Sequence, residues 1–162
     1  MTSAAAVKAS VLSEGSVAPD FTLPSDGGDT VSLSDFAGKK IVLYFYPKDD
    51  TPGCTVEAQD FAQLHESFAA SDAVILGVSK DSVKKHDKFK AKHCLPFALL
   101  SDDAEVCERY GVWVEKSMYG KKYMGIERST FLIDTNGKIS HIWNKVKVSG
   151  HAQDVLDCVK SL

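Results

Sequence analysis

The sequence predicts an α/β fold with a central mixed β-sheet and flanking helices, and three observations support this. Segments with strand-like and helix-like periodicity alternate along the middle of the chain, which predicts a parallel βαβ unit. Near the C-terminus, two strand-like segments flank Asn136-Gly137, the strongest short-range hairpin signal. The 162 residues are 44% hydrophobic and 25% charged, which suits one globular domain with a substantial core.

The first elements lead into the core of the sheet. Residues 19–38 alternate short apolar pieces with turn residues, which predicts a small hairpin and turn. Residues 41–46 are continuously apolar and rich in β-formers, and Pro47 ends them, so we expect a central strand covered on both faces. After a loop, apolar residues recur at helical spacing and predict a helix of about four turns starting near Cys54: Cys54, Ala58, Phe61, Leu64 and Phe68.

The remaining elements continue the alternation and end with the hairpin and a helix. We expect a buried strand at residues 73–79, a Lys-rich solvated helix at 81–93 that Pro96 stops, and a short strand at 97–100. A short helix should follow at 103–110, then an antiparallel pair of strands at 129–133 and 139–143, and a docked C-terminal helix at 150–162. A βαβ unit joined to an antiparallel hairpin is the order of a thioredoxin-like sheet.

Composition limits the domain organisation and the partners. Residues 17–162 show no repeat or linker and are expected to form a single domain. Residues 1–16 are rich in Ala and Ser without the basic start and long apolar stretch of a secretory signal, so we expect a disordered tail. No apolar run approaches the roughly 20 residues that cross a bilayer, and the net charge of −3 gives no general attraction to nucleic acid.

The four cysteines favour a reducing compartment. They lie at positions 54, 94, 107 and 158, with neither CxxC spacing nor the density of a disulfide scaffold. The sequence therefore predicts a cytoplasmic protein. Cys107 and Cys158 lie on apolar helical faces and are expected to be core residues.

Cys54 is the cysteine whose position favours reactivity. A free cysteine has a pKa of about 8.5, so only about 3% of it is the nucleophilic thiolate at pH 7. The first turn of a helix presents unpaired N–H groups and the positive end of the helix dipole, which favour an anion. Gly53 lets backbone donors approach the sulfur, and Thr51 offers a hydroxyl within one turn of it. Pro47 and Pro52 stiffen the loop, and Glu57 lies three residues along the helix. A cysteine that merely fills a core position would need none of these neighbours.

These residues carry a family resemblance. Pro47-x-x-x-Thr51-x-x-Cys54 resembles the peroxiredoxin signature, and the surrounding run Tyr-Pro-Lys-Asp-Asp-Thr-Pro-Gly-Cys-Thr resembles the bacterioferritin-comigratory (PrxQ) subfamily. The similarity extends over nearly all of the chain after the tail, through the motifs Ala18-Pro19-Asp20-Phe21, Tyr119-Gly120, Gly125-Ile126-Glu127-Arg128 and Thr130-Phe131-Leu132-Ile133-Asp134.

The resemblance implies a thiol-specific, antioxidant peroxidase that needs no metal or organic cofactor. Cys54 would attack hydrogen peroxide or an organic hydroperoxide and become a sulfenic acid, which thioredoxin or another thiol then reduces. Thr51 would hydrogen-bond the peroxide, Pro47 would shield the sulfur from water, and Arg128 matches the family's active-site arginine. Glu57 would orient Arg128. The expected assembly is a monomer or weak dimer.

The chain departs from the subfamily where a second, resolving cysteine is expected. Many PrxQ-like proteins carry it five residues after the first cysteine, where this chain has Gln59. Others carry it on the next helix, about where this chain has Lys90, and Cys94 lies roughly one turn further. Two alternatives follow: Cys94 forms a disulfide with Cys54, or an external thiol attacks the sulfenic acid directly.

Three other functions were considered, each with its own requirement on the sequence. A disulfide oxidoreductase would need a second cysteine at CxxC spacing from Cys54. A metal protein would use His86, His93 and Cys94, which lack recognised ligand spacing. A redox-sensing or chaperone-like interaction protein would use Cys54 without multiple turnover, and only turnover with a reductant separates it from a peroxidase.

Overall fold

The structure, a computed structural model, describes residues 12–162. Its elements are β1 (Thr22–Pro24), β2 (Thr30–Ser32), β3 (Lys40–Phe45), α1 (Pro52–Gln63), α2 (His65–Ala70), β4 (Ala73–Ser79), α3 (Val83–His93), β5 (Ala98–Ser101), α4 (Val106–Arg109), β6 (Trp113–Met118), β7 (Lys121–Ile126), β8 (Ser129–Ile133), β9 (Ile139–Trp143) and α5 (His151–Lys160).

A five-stranded mixed sheet of order β5-β4-β3-β8-β9 forms the centre of the fold. β3 pairs in parallel with β4, and β4 with β5, which is the predicted βαβ unit. β8 pairs antiparallel with β9, as the Asn136-Gly137 signal predicts. On its other side, β8 pairs antiparallel with β3. The predicted thioredoxin-like mixed sheet is therefore confirmed.

β3 is buried on both faces, as its continuous apolar sequence predicts. Successive side chains of a strand point to opposite faces, so Ile41, Leu43 and Phe45 enter one hydrophobic cluster. Val42 and Tyr44 enter the other cluster, which also contains Cys54 and parts of α1 and α5. The end of β3 thus delivers the following loop directly to the start of α1.

The long helix predicted from Cys54 is two helices. α1 begins at Pro52 and ends at Gln63, and Leu64 leaves helical geometry with φ −97° and ψ 5°. α2 then resumes at His65 and buries Phe68 against the same cluster. Both helices keep the apolar face that the sequence predicts.

A third hairpin, formed by β6 and β7, was not predicted. β6 and β7 pair antiparallel from Trp113 opposite Ile126 to Met118 opposite Lys121. Tyr119 and Gly120 make the turn with φ of 53° and 80°, the positive pair that a two-residue hairpin turn requires. Lysines and apolar residues are mixed on both faces of this ribbon, so its strands lack a clear alternating pattern.

α3 differs from the predicted solvated helix at one residue. Phe89 is buried as expected, but His86 is buried as well, with 0% of its surface exposed. The lysines of the helix are exposed or half-buried, as predicted. Because lysines surround His86 in the sequence, its position towards the core was not predicted.

The expected disordered tail falls in two parts. Residues 1–11 lie outside the described residues. From Leu12 the chain contacts the core, because Leu12 packs on the first cluster and the Gly15 N–H donates to the Ile139 carbonyl at 2.7 Å. No helix among residues 12–162 combines the length and apolar character needed to cross a bilayer.

Cys107 is a core residue, as the sequence predicts, whereas Cys158 is only half-buried at the edge of the core. Cys107 is fully buried and Cys158 packs against the second cluster. Burial raises the pKa of the Cys107 thiol far above its ordinary value, and the charge of the neighbouring Asp102 raises it further. Cys107 is therefore a protonated core residue.

His151, at the start of α5, is a buried neutral histidine. Its Nε2 hydrogen-bonds Thr130 Oγ1 at 2.8 Å, and its ring packs edge-on against Phe61 and Trp143. Burial lowers the pKa of His151 to about 4, a shift that the charge of Arg128 increases and that of Asp154 opposes. The unfolded chain binds a proton at this residue at higher pH than the folded chain does.

We predict that His151 makes the fold less stable in acid. Because its folded pKa is depressed, its contribution is fully present above the unfolded pKa of about 6.5 and is lost as pH falls towards 4, by about 3 kcal/mol. In urea unfolding, the stability difference between the wild type and His151→Gln should shrink by that amount between pH 7 and pH 4. A difference that is constant with pH would contradict the prediction.

Candidate active site

Cys54 lies at the start of α1, where the sequence places it. Thr51 is the N-cap residue with extended φ and ψ, Pro52 is the first helical residue, and Cys54 is the third. Proline suits this place because its missing N–H would have no helical partner there. The Cys54 side chain is 2% exposed and lies within the first helical turn, whose N–H groups favour an anion.

Glu57 and Arg128 form a buried ion pair beside Cys54. Arg128, between β7 and β8, donates from Nη1 to Glu57 Oε1 at 2.7 Å, and the two side chains are 17% and 1% exposed. Burial alone would lower the pKa of Arg128, but the charges of Glu57 and Cys54 and hydrogen bonding to both raise it above its ordinary value. The structure thus brings together all three residues that the sequence analysis grouped.

Gly53 allows this arrangement because its backbone lies against the Arg128 guanidinium. A Cβ atom at position 53 would lie 3.1 Å from Arg128 Nη2. That distance is tight for an arginine already held by Glu57, so a side chain at this position would push the guanidinium away from its place. Glycine here serves a close approach of side chain to backbone.

The Glu57 carboxyl changes its protonation state near neutral pH. Burial raises its pKa to about 7, although the charge and hydrogen bond of Arg128 pull it down and the charge of Asp60 adds to the rise. Within the described residues, Glu57 Oε2 and the nearby Tyr44 hydroxyl are buried without hydrogen-bond partners. The ion pair is therefore strongest above neutral pH, where Glu57 is ionised.

Thr51 and Pro47 lie on the loop between β3 and α1. The Thr51 hydroxyl donates to the Lys48 carbonyl at 2.9 Å, and the Thr51 carbonyl accepts from the Thr55 N–H at 2.8 Å. A hydroxyl has one hydrogen and two lone pairs, so Thr51 Oγ1 can offer a neighbouring group only an acceptor. Pro47 and Thr51 are both half-buried.

Lys116 is a neighbour of the site that the sequence analysis missed. It lies on β6, and its side chain crosses Gly125 of β7, where a Cβ would lie 3.3 Å from Lys116 Cδ. Burial lowers the pKa of Lys116, the charge of Arg128 lowers it further, and the charge of Cys54 opposes both. Recognising the β6–β7 hairpin would have been needed to place this lysine near Cys54.

Cys94 is exposed, whereas Cys54 is buried. It caps the C-terminus of α3 in the left-handed region, with φ 52° and ψ 48°. The preceding residue, His93, reaches towards the site, accepting from Gln59 Nε2 at 3.3 Å and lying 3.5 Å from Asp50 Oδ1. Gln59 therefore contacts the residue that precedes Cys94, and the thiols of Cys54 and Cys94 are both free.

A metal site does not form from the histidines considered above. Residues 12–162 contain no cluster of three or more His, Cys, Asp or Glu side chains with the arrangement of a metal site. His86 instead bonds Asp49, a contact that the sequence analysis did not anticipate.

Comparisons with known proteins agree on one family. The model of the AhpC/TSA family matches residues 15–142. The chain is 59% identical over 143 residues to a Coxiella burnetii protein named putative peroxiredoxin bcp, covering 88% of this chain and 95% of that protein. It is 58% identical over 149 residues to peroxiredoxin Bcp of Bacillus subtilis, covering 91% and 95%.

Solved structures give the same answer. Xanthomonas campestris peroxiredoxin Q superimposes with a TM-score of 0.85 and 48% identity, covering 94% of this chain and 98% of that one. A structure of the bacterioferritin comigratory protein from the same organism, described for its alkyl peroxide reduction activity, has the same score, identity and coverage. Xylella fastidiosa PrxQ superimposes with a TM-score of 0.88 and 43% identity, covering 93% and 96%.

We predict that the Arg128→Met substitution destabilises the fold in a pH-dependent way. Near pH 8.5 it leaves an ionised Glu57 buried without its partner, which costs about 3 kcal/mol. Near pH 5.5 Glu57 is protonated in the folded state, so only a hydrogen bond is lost, at about 1 kcal/mol. Urea unfolding at the two pH values measures both losses.

The double variant Arg128→Met/Glu57→Gln is the matched control. Because it has no buried carboxylate at position 57, its stability relative to the wild type should lack the extra loss near pH 8.5. Equal losses for Arg128→Met at both pH values would show that Glu57 does not change its protonation state in this range.

Proposed function

Because the chain belongs to the AhpC/TSA family and is a peroxiredoxin of the Bcp group, we propose that it reduces hydrogen peroxide and organic hydroperoxides through Cys54. The observation that carries this proposal is the placement of the Cys54 sulfur at a helix N-terminus beside the buried Arg128–Glu57 pair. The N–H groups of a helix N-terminus and a nearby guanidinium favour negative charge, which suits the site of a nucleophilic cysteine.

The proposed reaction is a displacement at oxygen. The Cys54 thiolate attacks one oxygen of R–O–O–H, a sulfur–oxygen bond forms, and the oxygen–oxygen bond breaks. The sulfur becomes a sulfenic acid, and the leaving oxygen takes up a proton and departs as an alcohol or as water. The sulfur is oxidised by two electrons, and the peroxide is reduced by two.

Arg128 and the helix N-terminus would stabilise the charge that spreads from sulfur to the leaving oxygen. Both are fixed before reaction, Arg128 by Glu57 and the N–H groups by the helix, so little reorganisation is needed in the transition state. Glu57 would act through Arg128 as a positioning residue. Its ionised form, favoured above a pKa of about 7, would hold the guanidinium more firmly.

Thr51 and Pro47 would shape the peroxide site. Since the Thr51 hydroxyl donates its hydrogen to the Lys48 carbonyl, it would accept a hydrogen bond from the O–H of the bound peroxide. That contact would hold the hydroxyl-bearing oxygen in place for attack by the sulfur, so that the other oxygen leaves as part of the alcohol or water. Pro47, half-buried at the start of the same loop, would limit the access of water.

The proposed substrate class includes organic hydroperoxides because of a similar protein of solved structure. The structurally similar Xanthomonas campestris protein has alkyl peroxide reduction activity and is 48% identical to this chain. Thioredoxin or another thiol would then reduce the oxidised enzyme. The cysteine pattern supports the cytoplasm as the compartment. The assembly that we propose is a monomer or weak dimer.

Cys94 is our proposed resolving residue. Its thiol would attack the Cys54 sulfenic acid, forming a disulfide and releasing water. Because Cys54 is buried and Cys94 is exposed, the end of α3 and the first turn of α1 must rearrange before the sulfurs meet. The last turn of α3 suits such a change, since the N–H groups of Cys94 and Leu95 share one acceptor, the Lys90 carbonyl.

We predict that Cys54→Ser abolishes peroxide consumption in an assay with thioredoxin, thioredoxin reductase and NADPH, because it removes the nucleophile. Cys158→Ser is the matched control, since it removes a half-buried thiol outside the site and should keep the wild-type rate. Full activity of Cys54→Ser would contradict the proposal. A wild-type protein oxidised only once would identify a sensor instead.

We predict further that Cys94→Ser loses turnover with thioredoxin while its Cys54 still reacts once with peroxide. Intact-mass measurement after one equivalent of peroxide should find a disulfide in the wild type and a sulfenic acid in Cys94→Ser. Undiminished turnover of Cys94→Ser would assign resolution to an external thiol.

A further inference from the structure

A buried hydrogen-bond network lies on the α3 side of the loop that follows β3. His86 Nδ1 lies 2.6 Å from Asp49 Oδ2, and His86 Nε2 donates to the Leu100 carbonyl at 3.0 Å. The side chains of His86 and Asp49 are 0% and 4% exposed. A histidine and a carboxylate this deeply buried are retained only when they are paired.

Asp49 is fixed from three directions. Its Oδ1 accepts from the Tyr46 hydroxyl at 2.6 Å, and its Oδ2 bonds His86. Its backbone N–H donates to Asp81 Oδ2 at 2.7 Å, and Asp81 in turn accepts from Ser79 Oγ at 2.8 Å. The end of β3, the turn after β4 and α3 therefore all hold this one residue.

The histidine ring is also fixed in its orientation, because both of its nitrogens make hydrogen bonds. The Leu100 carbonyl can only accept, so Nε2 carries a hydrogen. Nδ1 faces a carboxylate oxygen at 2.6 Å, so one proton lies between these two atoms. The ring is thus a rigid bridge from β5 to Asp49.

Asp49 lies in the loop segment that carries the proposed peroxide contacts. Pro47 lies two residues before it and Thr51 two residues after it. The Thr51 hydroxyl bonds the carbonyl of Lys48, the residue adjacent to Asp49, and Asp50 has a φ of 61°. A non-glycine residue in this strained region keeps its conformation only when its surroundings hold it.

We propose that the Asp49–His86 pair positions the loop 47–51 for reaction, so that Thr51 meets the peroxide in line with Cys54. The two residues are positioning residues that touch neither the sulfur nor the peroxide. This inference rests on the proposed function of Cys54. It adds that a buried network on α3, on the opposite side of the loop from Arg128, sets the rate of peroxide attack.

The test measures single-turnover oxidation of Cys54 by hydrogen peroxide, followed by intrinsic tryptophan fluorescence, with stability measured by urea unfolding. Asp49→Ala removes all side-chain contacts. Asp49→Asn keeps them, because its amide oxygen accepts from Tyr46 and its nitrogen donates to a neutral His86. His86→Asn reproduces the Nδ1 bond to Asp49, and His86→Gln reproduces only the Nε2 bond to Leu100.

We expect Asp49→Ala and His86→Gln to react with peroxide at least about tenfold more slowly, since a small misplacement near reacting atoms costs up to about 100-fold. Asp49→Asn and His86→Asn should stay within about threefold of the wild type. Because both histidine variants bury an amide in place of a ring, a purely structural role would slow them equally, and that result would overturn the proposal.

Asp102→Ala is the stability control. Asp102 is a buried carboxylate that accepts from three backbone N–H groups at the start of α4 and does not contact the loop. It should lower stability and leave the oxidation rate unchanged. If it slows oxidation as much as Asp49→Ala does, or if Asp49→Ala reacts at the wild-type rate, the positioning role is wrong. Either result would leave the function of Cys54 intact, whereas an unimpaired Cys54→Ser would remove that function itself.

Discussion

The buried ion pair between Glu57 and Arg128 is the interaction on which the rest of the site depends. Glu57 belongs to α1, which carries Cys54, and Arg128 belongs to the connection into β8 of the central sheet, so the pair ties the helix to the sheet. Neither charge could be buried alone. The pair also explains the glycine at position 53, because the guanidinium lies against the backbone there. The residue types at positions 53, 57 and 128 therefore depend on one another.

The elements that the sequence predicts well are those with one strong local pattern. Residues 41–46 have a continuous apolar run, and Cys54 lies behind a Thr-Pro-Gly N-terminus that gives its helix a clear start. The β6–β7 hairpin has no such pattern, because neither face of the ribbon is consistently buried. Lys116 was missed with it.

The burial of two polar residues could not be predicted for a different reason. His86 is surrounded in sequence by lysines, and Asp49 lies among charged and turn residues, so nothing local marks either as buried. Each can be buried only because it pairs with the other, 37 positions away in sequence. A pairing over that distance leaves no periodic pattern in the sequence. The break at Leu64 likewise does not interrupt the apolar spacing, and so it is invisible to a periodicity argument.

The loop before α1 is held unequally on its two sides. Asp49 is anchored inside the protein. The side-chain contacts that Asp50 makes within residues 12–162, with Lys92 and His93 at the end of α3, are exposed. Exposed pairs contribute little and are screened by salt, while buried ones are costly to break. The C-terminal end of α3, with Cys94, can therefore open at lower cost than its N-terminal half. Such a division lets one end of a helix move while the other keeps the loop in place.

The buried state of Cys107 bears on how long such a molecule can work. An enzyme that handles hydroperoxides exposes its own side chains to the oxidant in every cycle, and thiolates are the most vulnerable of them. Burial and the charge of Asp102 hold the Cys107 thiol in its protonated, unreactive form within the core. Oxidation of that sulfur would place a polar group among tightly packed apolar residues and loosen the domain. Keeping this thiol inert thus confines oxidative chemistry to sulfurs at the surface and the site, and extends the working lifetime of each molecule.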